Sequence, residues 1–194
     1  MFPSAQYLIT LQPHEALCEQ ILAVKKKFAE AYDCPAAVKG KPGITLVRFE
    51  QYEMQERKLV HRLELVAAAQ PGFGVELHGF GSFPTHSIFL QVTTQTGFAE
   101  LVKSLRPVQQ LMKMDKDHKP HFITEPGIPI ARKLLPWQYE KGWLELSNTH
   151  FSGRFVADHI LLLKKREGET YYSTVRKFRL LNRKEEVVVQ GALF

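Results

Sequence analysis

The sequence predicts an α+β fold of two pseudo-symmetric lobes facing each other across a central cleft. One observation is a repeat: Pro42-Gly43-Ile44-Thr45-Leu46-Val47-Arg48 and Pro126-Gly127-Ile128-Pro129-Ile130-Ala131-Arg132 share Pro-Gly-Ile, a variable residue, two apolar residues and Arg. Each copy follows a polar loop and reads as a short apolar strand started by a Pro-Gly turn. A second observation is that stretches of period 2 and of helical period are interspersed along the whole chain. A third is that no boundary looks like a linker, so residues 1–194 read as one unit. Similar strands far apart in sequence point to similar lobes with these strands opposed. Chance likeness of a short repeat is the competing reading.

Taken in order, Tyr7–Leu11 is a strand stopped by Pro13. From about His14 to Ala31, Leu17, Ile21, Leu22, Val24 and Phe28 recur near helical spacing, with Lys25-Lys26-Lys27 on what reads as a solvated face. Cys34-Pro35 ends that helix, and Lys39-Gly40-Lys41-Pro42 loops into the first repeat strand. Glu53–Ala69 is a second helix, broken by Pro71-Gly72. Val75–Phe83 and His86–Val92 read as a hairpin. Gly97–Met114 is a third helix that Pro107 should kink or divide.

Asp115–His121 is a polar loop before the second repeat strand. Pro136–Leu146 carries Trp137 and Trp143 in a short helix or irregular stretch. Phe155–Lys165 reads as one strongly apolar strand, and Tyr171–Leu181 as the closing one. Val187-Val188-Val189 is an edge strand or a disordered tail.

At 194 residues the chain is long enough for a substantial core. Its 44% hydrophobic and 24% charged residues are ordinary for a soluble globular protein. A formal charge of +6 suits an anionic partner such as RNA, although proteins that bind no nucleic acid also reach it. Cys18 and Cys34 have no metal-ligand partners nearby, so free thiols in a reducing compartment are the simplest account. The first residues do not form a signal peptide, and no apolar run reaches the ~20 residues that span a bilayer. A cytoplasmic monomer without a membrane partner is expected.

The repeat also carries a resemblance. Lys41–Phe49 and Glu125–Leu134 resemble the paired H-x-[ST]-x strands of the two-histidine (2H) phosphoesterases, which include 2'-5' RNA ligase-like proteins and RNA cyclic phosphodiesterases. Gly43 and Gly127 stand where the family has its histidines; Thr45 and Pro129 stand at the hydroxyl positions. The resemblance implies antiparallel sheets with helices outside, no metal or other cofactor, and acid–base work by two facing histidines on a cyclic phosphodiester. The implied partner is an RNA end or nucleotide phosphate, and the implied parent activity is cyclic phosphodiester hydrolysis or the reverse ligation.

Glycine transfers no proton, and Pro129 has neither hydroxyl nor backbone donor. Each lost acid or base costs about 10²–10⁴-fold, so catalysis by the family route should be absent or crippled. Three accounts of the glycines stand side by side: natural degeneration to a binding module, deliberate substitution, or tight strand starts. Each glycine is expected to leave a side-chain-sized gap. A non-catalytic RNA-, nucleotide- or protein-binding module on the same fold is the alternative function.

Strand alternation assigns Gly43, Thr45 and Val47, with Gly127, Pro129 and Ala131, to the cleft face. It turns Arg48 and Arg132 away as salt-bridged or solvated residues and gives Lys133 the cleft parity. Thr45, Lys133 and His121 are therefore the substrate-binding candidates, with His121 in a loop at the cleft mouth. His78 and His86 read as surface or core residues. His118 and His121 with Asp115 or Asp117 are a weak metal signal lacking a defined third ligand. Phe80, Phe83, Trp137, Trp143 and Phe151 offer stacking surfaces, though core packing is the usual fate of such residues.

Overall fold

The computed structural model describes residues 2–183. The valine-rich stretch at 187–189 lies outside the described residues.

The elements are β1 (Ser4–Leu11), α1 (Glu15–Ala31), β2 (Ile44–Tyr52), α2 (Glu56–Ala69), β3 (Phe73–Phe83), β4 (Ser87–Val92), α3 (Thr96–Leu105), α4 (Gln109–Met112), β5 (His121–Phe122), β6 (Gly127–Arg132), α5 (Pro136–Leu146), β7 (Ser152–Ala157), β8 (His159–Arg166) and β9 (Ser173–Arg179). The helical periods fall where the sequence puts them. His14 caps α1, its Nδ1 accepting from the Leu17 N–H at 3.3 Å. Pro107 does divide the third helix: it sits in a 3-10 turn, Arg106–Val108, between α3 and α4. A proline there removes the helical donor and crowds the preceding turn.

The strands form two sheets, ordered β5-β2-β1-β8-β9 and β6-β4-β3-β7, in which neighbouring strands pair antiparallel. Each repeat copy thus lies in a different sheet, β2 in the five-stranded one and β6 at an edge of the four-stranded one. β2 and β6 approach each other, so the two copies are opposed. Helix α1 packs on β6 and β7, and α2 on β9. The buried side chains form one cluster, from Tyr7, Ile9 and Leu11 of β1 to Ile88 and Leu90 of β4.

Two strand assignments need correction. The apolar stretch Phe155–Lys165 is not one strand. Asp158 separates β7, which pairs with β3, from β8, which pairs with β1, so the chain changes sheets across one residue. His121 is not a loop residue: it opens the two-residue strand β5, opposite Arg48.

The more consequential departure lies inside the repeat strands. In β2, Ile9 pairs with Val47 while Thr10 pairs with Thr45, leaving Leu46 as an extra residue. In β6, Ile88 pairs with Ala131 while Phe89 pairs with Pro129, leaving Ile130 extra. Both copies therefore carry a β-bulge at the same repeat position. A bulge shifts the side-chain parity of everything beyond it. Leu46 and Val47 are both buried, as are Ile130 and Ala131, and the following Arg48 and Arg132 emerge on the face of Thr45 and Pro129. Simple alternation assigned Val47 and Ala131 to that face. The bulges give it to the arginines.

Candidate functional site

Between the two sheets lies a cleft of about 570 Å³. Thr45, Arg48 and His121 line it from one sheet; Phe83, His86, Phe89, Gly127, Pro129, Arg132 and Lys133 line it from the other. The structure therefore brings together five of the six site candidates: Thr45, His121, Gly127, Pro129 and Lys133. Gly43 is not among the lining residues. It directly precedes β2 and sits against the Leu11 carbonyl.

Lys133 reaches the cleft for a different reason from parity. Beyond the bulge, alternation would turn it outward, but its φ of 54° lies in the left-handed region and redirects the chain after Arg132.

Arg48 and Arg132 make no ion pair with a carboxylate among the described residues. Arg132 keeps accessible surface but is enclosed by the concave wall. That desolvation, and after it the repulsion of Arg48, lowers its pKa. A guanidinium stays protonated regardless, so the shift registers its enclosure first and the neighbouring cation second. Glu125 also lines the cleft but forms an ion pair with neither arginine. Behind β6, Lys25 of α1 is 6% exposed and has no carboxylate partner among the described residues; burial, then Arg132, lowers its pKa. The lysine run is thus not wholly a solvated face. Tyr172, just before β9, is near enough to feel both arginines, although burial dominates and raises its pKa.

The two glycines have equivalent surroundings with one difference. A Cβ on Gly43 would stand 3.1 Å from the Leu11 carbonyl oxygen and 3.9 Å from the Thr10 Cβ. A Cβ on Gly127 would stand 3.3 Å from the Leu90 carbonyl oxygen, but only 2.7 Å from Cδ2 of Phe89. Thr10 and Phe89 are counterparts, each preceding the leucine whose carbonyl faces the glycine and each pairing with the fourth residue of its repeat copy, Thr45 or Pro129. The side-chain-sized gap expected at each glycine is therefore absent at Gly127, where a phenyl ring already stands.

Of the five aromatic residues singled out by sequence, only Phe83 lines the cleft. Phe80 is buried, Trp143 packs on the core, Trp137 is exposed on α5, and Phe151 borders a separate pocket of about 90 Å³. Phe89 was missed because nothing local distinguishes it from a core strand residue. Its signal is the glycines Gly81 and Gly127 on either side, visible only once the strand register is known. His86 lines the cleft too, whereas His78 stacks edge-on with His150 elsewhere. His118 pairs with Asp115 at 2.8 Å, and no group of three or more His, Cys, Asp or Glu among the described residues is placed to hold a metal ion. The His118–His121 metal signal therefore lacks its third donor. No described helix is long and apolar enough to cross a membrane.

This geometry has known counterparts. The structure of Escherichia coli LigT complexed with 3'-AMP superposes with a TM-score of 0.65 at 18% identity, covering 91% of this chain and 98% of LigT. TT0787 of Thermus thermophilus gives 0.63 at 17% identity, covering 92% of this chain and 100% of that one. No curated protein matches the chain by sequence. A profile of the 2'-5' RNA ligase superfamily, however, matches residues 13–169, most of the chain. With two opposed antiparallel sheets and the repeat strands at their meeting point, the chain belongs to the 2'-5' RNA ligase superfamily.

Proposed function

We propose that this cleft binds the phosphate of an RNA end or nucleotide, including a 2',3'-cyclic phosphate, with little turnover by the paired-histidine route. The observation that carries this reading is the Arg48–Arg132 pair, two guanidiniums without carboxylate partners among the described residues, delivered to one cleft by matching bulges. Guanidinium donors hold phosphate oxygens through charge-assisted, often bidentate hydrogen bonds. The Thr45 hydroxyl adds one donor, and Lys133 and His121 extend the basic rim. E. coli LigT has been crystallised with phosphate, 3'-AMP and ATP, which agrees with an anion site in this fold.

Turnover requires a base to activate the attacking water or hydroxyl and an acid to protonate the leaving oxygen. Gly43 and Gly127 supply neither, and Pro129 supplies no hydroxyl. Calorimetric titration with 2',3'-cyclic AMP and with inorganic phosphate, paired with chromatographic assay of ring opening, tests both halves of the proposal. Binding without ring opening is expected. Silence towards every phosphate would leave a protein-interaction module on the same fold.

A further inference from the structure

Phe89 occupies an unusual position on its sheet. Its Cε2 and Cζ lie 2.7 Å from where a Cβ would stand on Gly81, and its Cδ2 lies 2.7 Å from the corresponding point on Gly127. Gly81 and Gly127 belong to β3 and β6, the strands on either side of β4. The ring therefore extends across its neighbours, and any other residue at either glycine would displace it. The absence of two β-carbons is what admits it.

The ring of Phe83 lies 5.1 Å away at a 35° tilt, and Phe83 is 49% exposed. Both rings line the cleft that holds Arg48 and Arg132. One half-exposed ring, Phe83, and one partly buried ring, Phe89, beside unpaired cations have a chemical meaning. A flat, delocalised ligand gains dispersion and stacking on the rings while its anionic end is neutralised alongside.

We infer that Phe89 and Phe83 form a stacking platform for the base of the bound nucleotide, built into space that a histidine at position 127 would require. The inference deepens the phosphate-binding reading, and rests on it for the placement of the phosphate. The chain selects nucleotides over simpler phosphates through this platform. Stacking on an aromatic side chain is worth about 5- to 150-fold in affinity per base.

The test uses the intact protein and four probes: adenosine, AMP, ribose 5-phosphate and inorganic phosphate. Affinities come from calorimetry, and contact with the platform from the ring-proton NMR resonances of Phe83 and Phe89. AMP should bind about 5- to 150-fold more tightly than ribose 5-phosphate, and adenosine alone should shift both sets of resonances. Phe89→Leu should reduce AMP to the level of ribose 5-phosphate while leaving inorganic phosphate unchanged. Should that variant fail to fold, Phe83→Leu, at an exposed position, should still narrow the AMP preference.

Equal affinities for AMP and ribose 5-phosphate in the unaltered protein, with Phe83 and Phe89 resonances unmoved by adenosine, would overturn the platform whatever inorganic phosphate does. Resonance shifts from adenosine without affinity for any phosphate would keep the platform and remove the phosphate reading instead.

Discussion

Arg48 and Arg132 occupy corresponding positions in the two opposed sheets, each two places beyond the extra residue of a β-bulge, and both face one cleft. Their mutual repulsion is uncompensated by a described carboxylate, so an anion between them should relieve it. A charge-assisted hydrogen bond contributes about 1.5–3 kcal/mol, so Arg48→Ala or Arg132→Ala should weaken 2',3'-cyclic AMP binding about 10- to 100-fold. Raising the salt concentration should weaken binding to the unaltered protein. With a single-stranded RNA ligand, each variant should reduce the slope of log affinity against log salt by about one. Titration at two ionic strengths measures both effects. Full affinity in the double variant would refute the arginine site.

A second expectation concerns acid stability. Lys164 of β8, 9% exposed, stands 2.6 Å from Glu56 and 3.3 Å from Glu53, while Arg166 grips Glu53 at 2.8 Å. The buried Tyr7 hydroxyl donates to Glu56 at 2.9 Å. Hydrogen bonding from Arg166, followed by the influence of Lys164 and opposed by burial, holds the Glu53 carboxyl below its ordinary pKa. A depressed carboxyl contributes stability that is present above its unfolded pKa of about 4.3 and lost as pH falls through the folded value. Lys164→Met should cost up to about 3 kcal/mol at neutral pH, near the lower bound for breaking a buried pair because both carboxylates retain some exposure. Thermal melts from pH 7 to pH 2 should show the gap between variant and parent closing in acid. A constant gap would mean that Lys164 acts through packing rather than charge.

The helices were legible in the sequence because each buries one stripe at helical spacing, as Leu17, Ile21 and Phe28 do in α1. The opposed repeat strands were legible too, since two copies of one pattern in a compact chain tend to be related in space. The bulges were not. Their trace is a pair of adjacent apolar residues, Leu46-Val47 and Ile130-Ala131, which reads equally well as an ordinary buried strand. Missing them reversed the expected directions of Arg48 and Arg132. The division at Asp158 was also hidden, because a strand buried in either sheet has the same apolar composition. Phe89 depends on three strands at once, a relation that no window along the chain contains.

The last expectation concerns the histidines that the family resemblance implies at positions 43 and 127, and the asymmetry between Thr10 and Phe89 sharpens it. Gly43→His brings a Cβ to 3.1 Å from the Leu11 carbonyl oxygen, so the backbone must yield slightly, but no ring stands at that Cβ position and the change should cost less stability than Gly127→His. Gly127→His must displace the Phe89 ring and should cost about 1–3 kcal/mol, as overpacking does. Trimming the ring with Phe89→Ala in the same chain should recover part of that loss, and a double-mutant cycle on melting data reads the coupling. Hydrolysis of 2',3'-cyclic AMP should then require Gly43→His, Gly127→His and Phe89→Ala together. Pro129→Thr should raise it further by restoring a hydroxyl and a backbone donor. Two imidazoles with unperturbed pKa values near 6.5 can hold one proton between them at neutral pH, so the rate should follow a bell-shaped pH profile. Either histidine alone should be about 10²–10⁴-fold slower. A quadruple variant that folds and binds the cyclic nucleotide yet opens no ring would show that this cleft is not a 2H site lacking only its histidines.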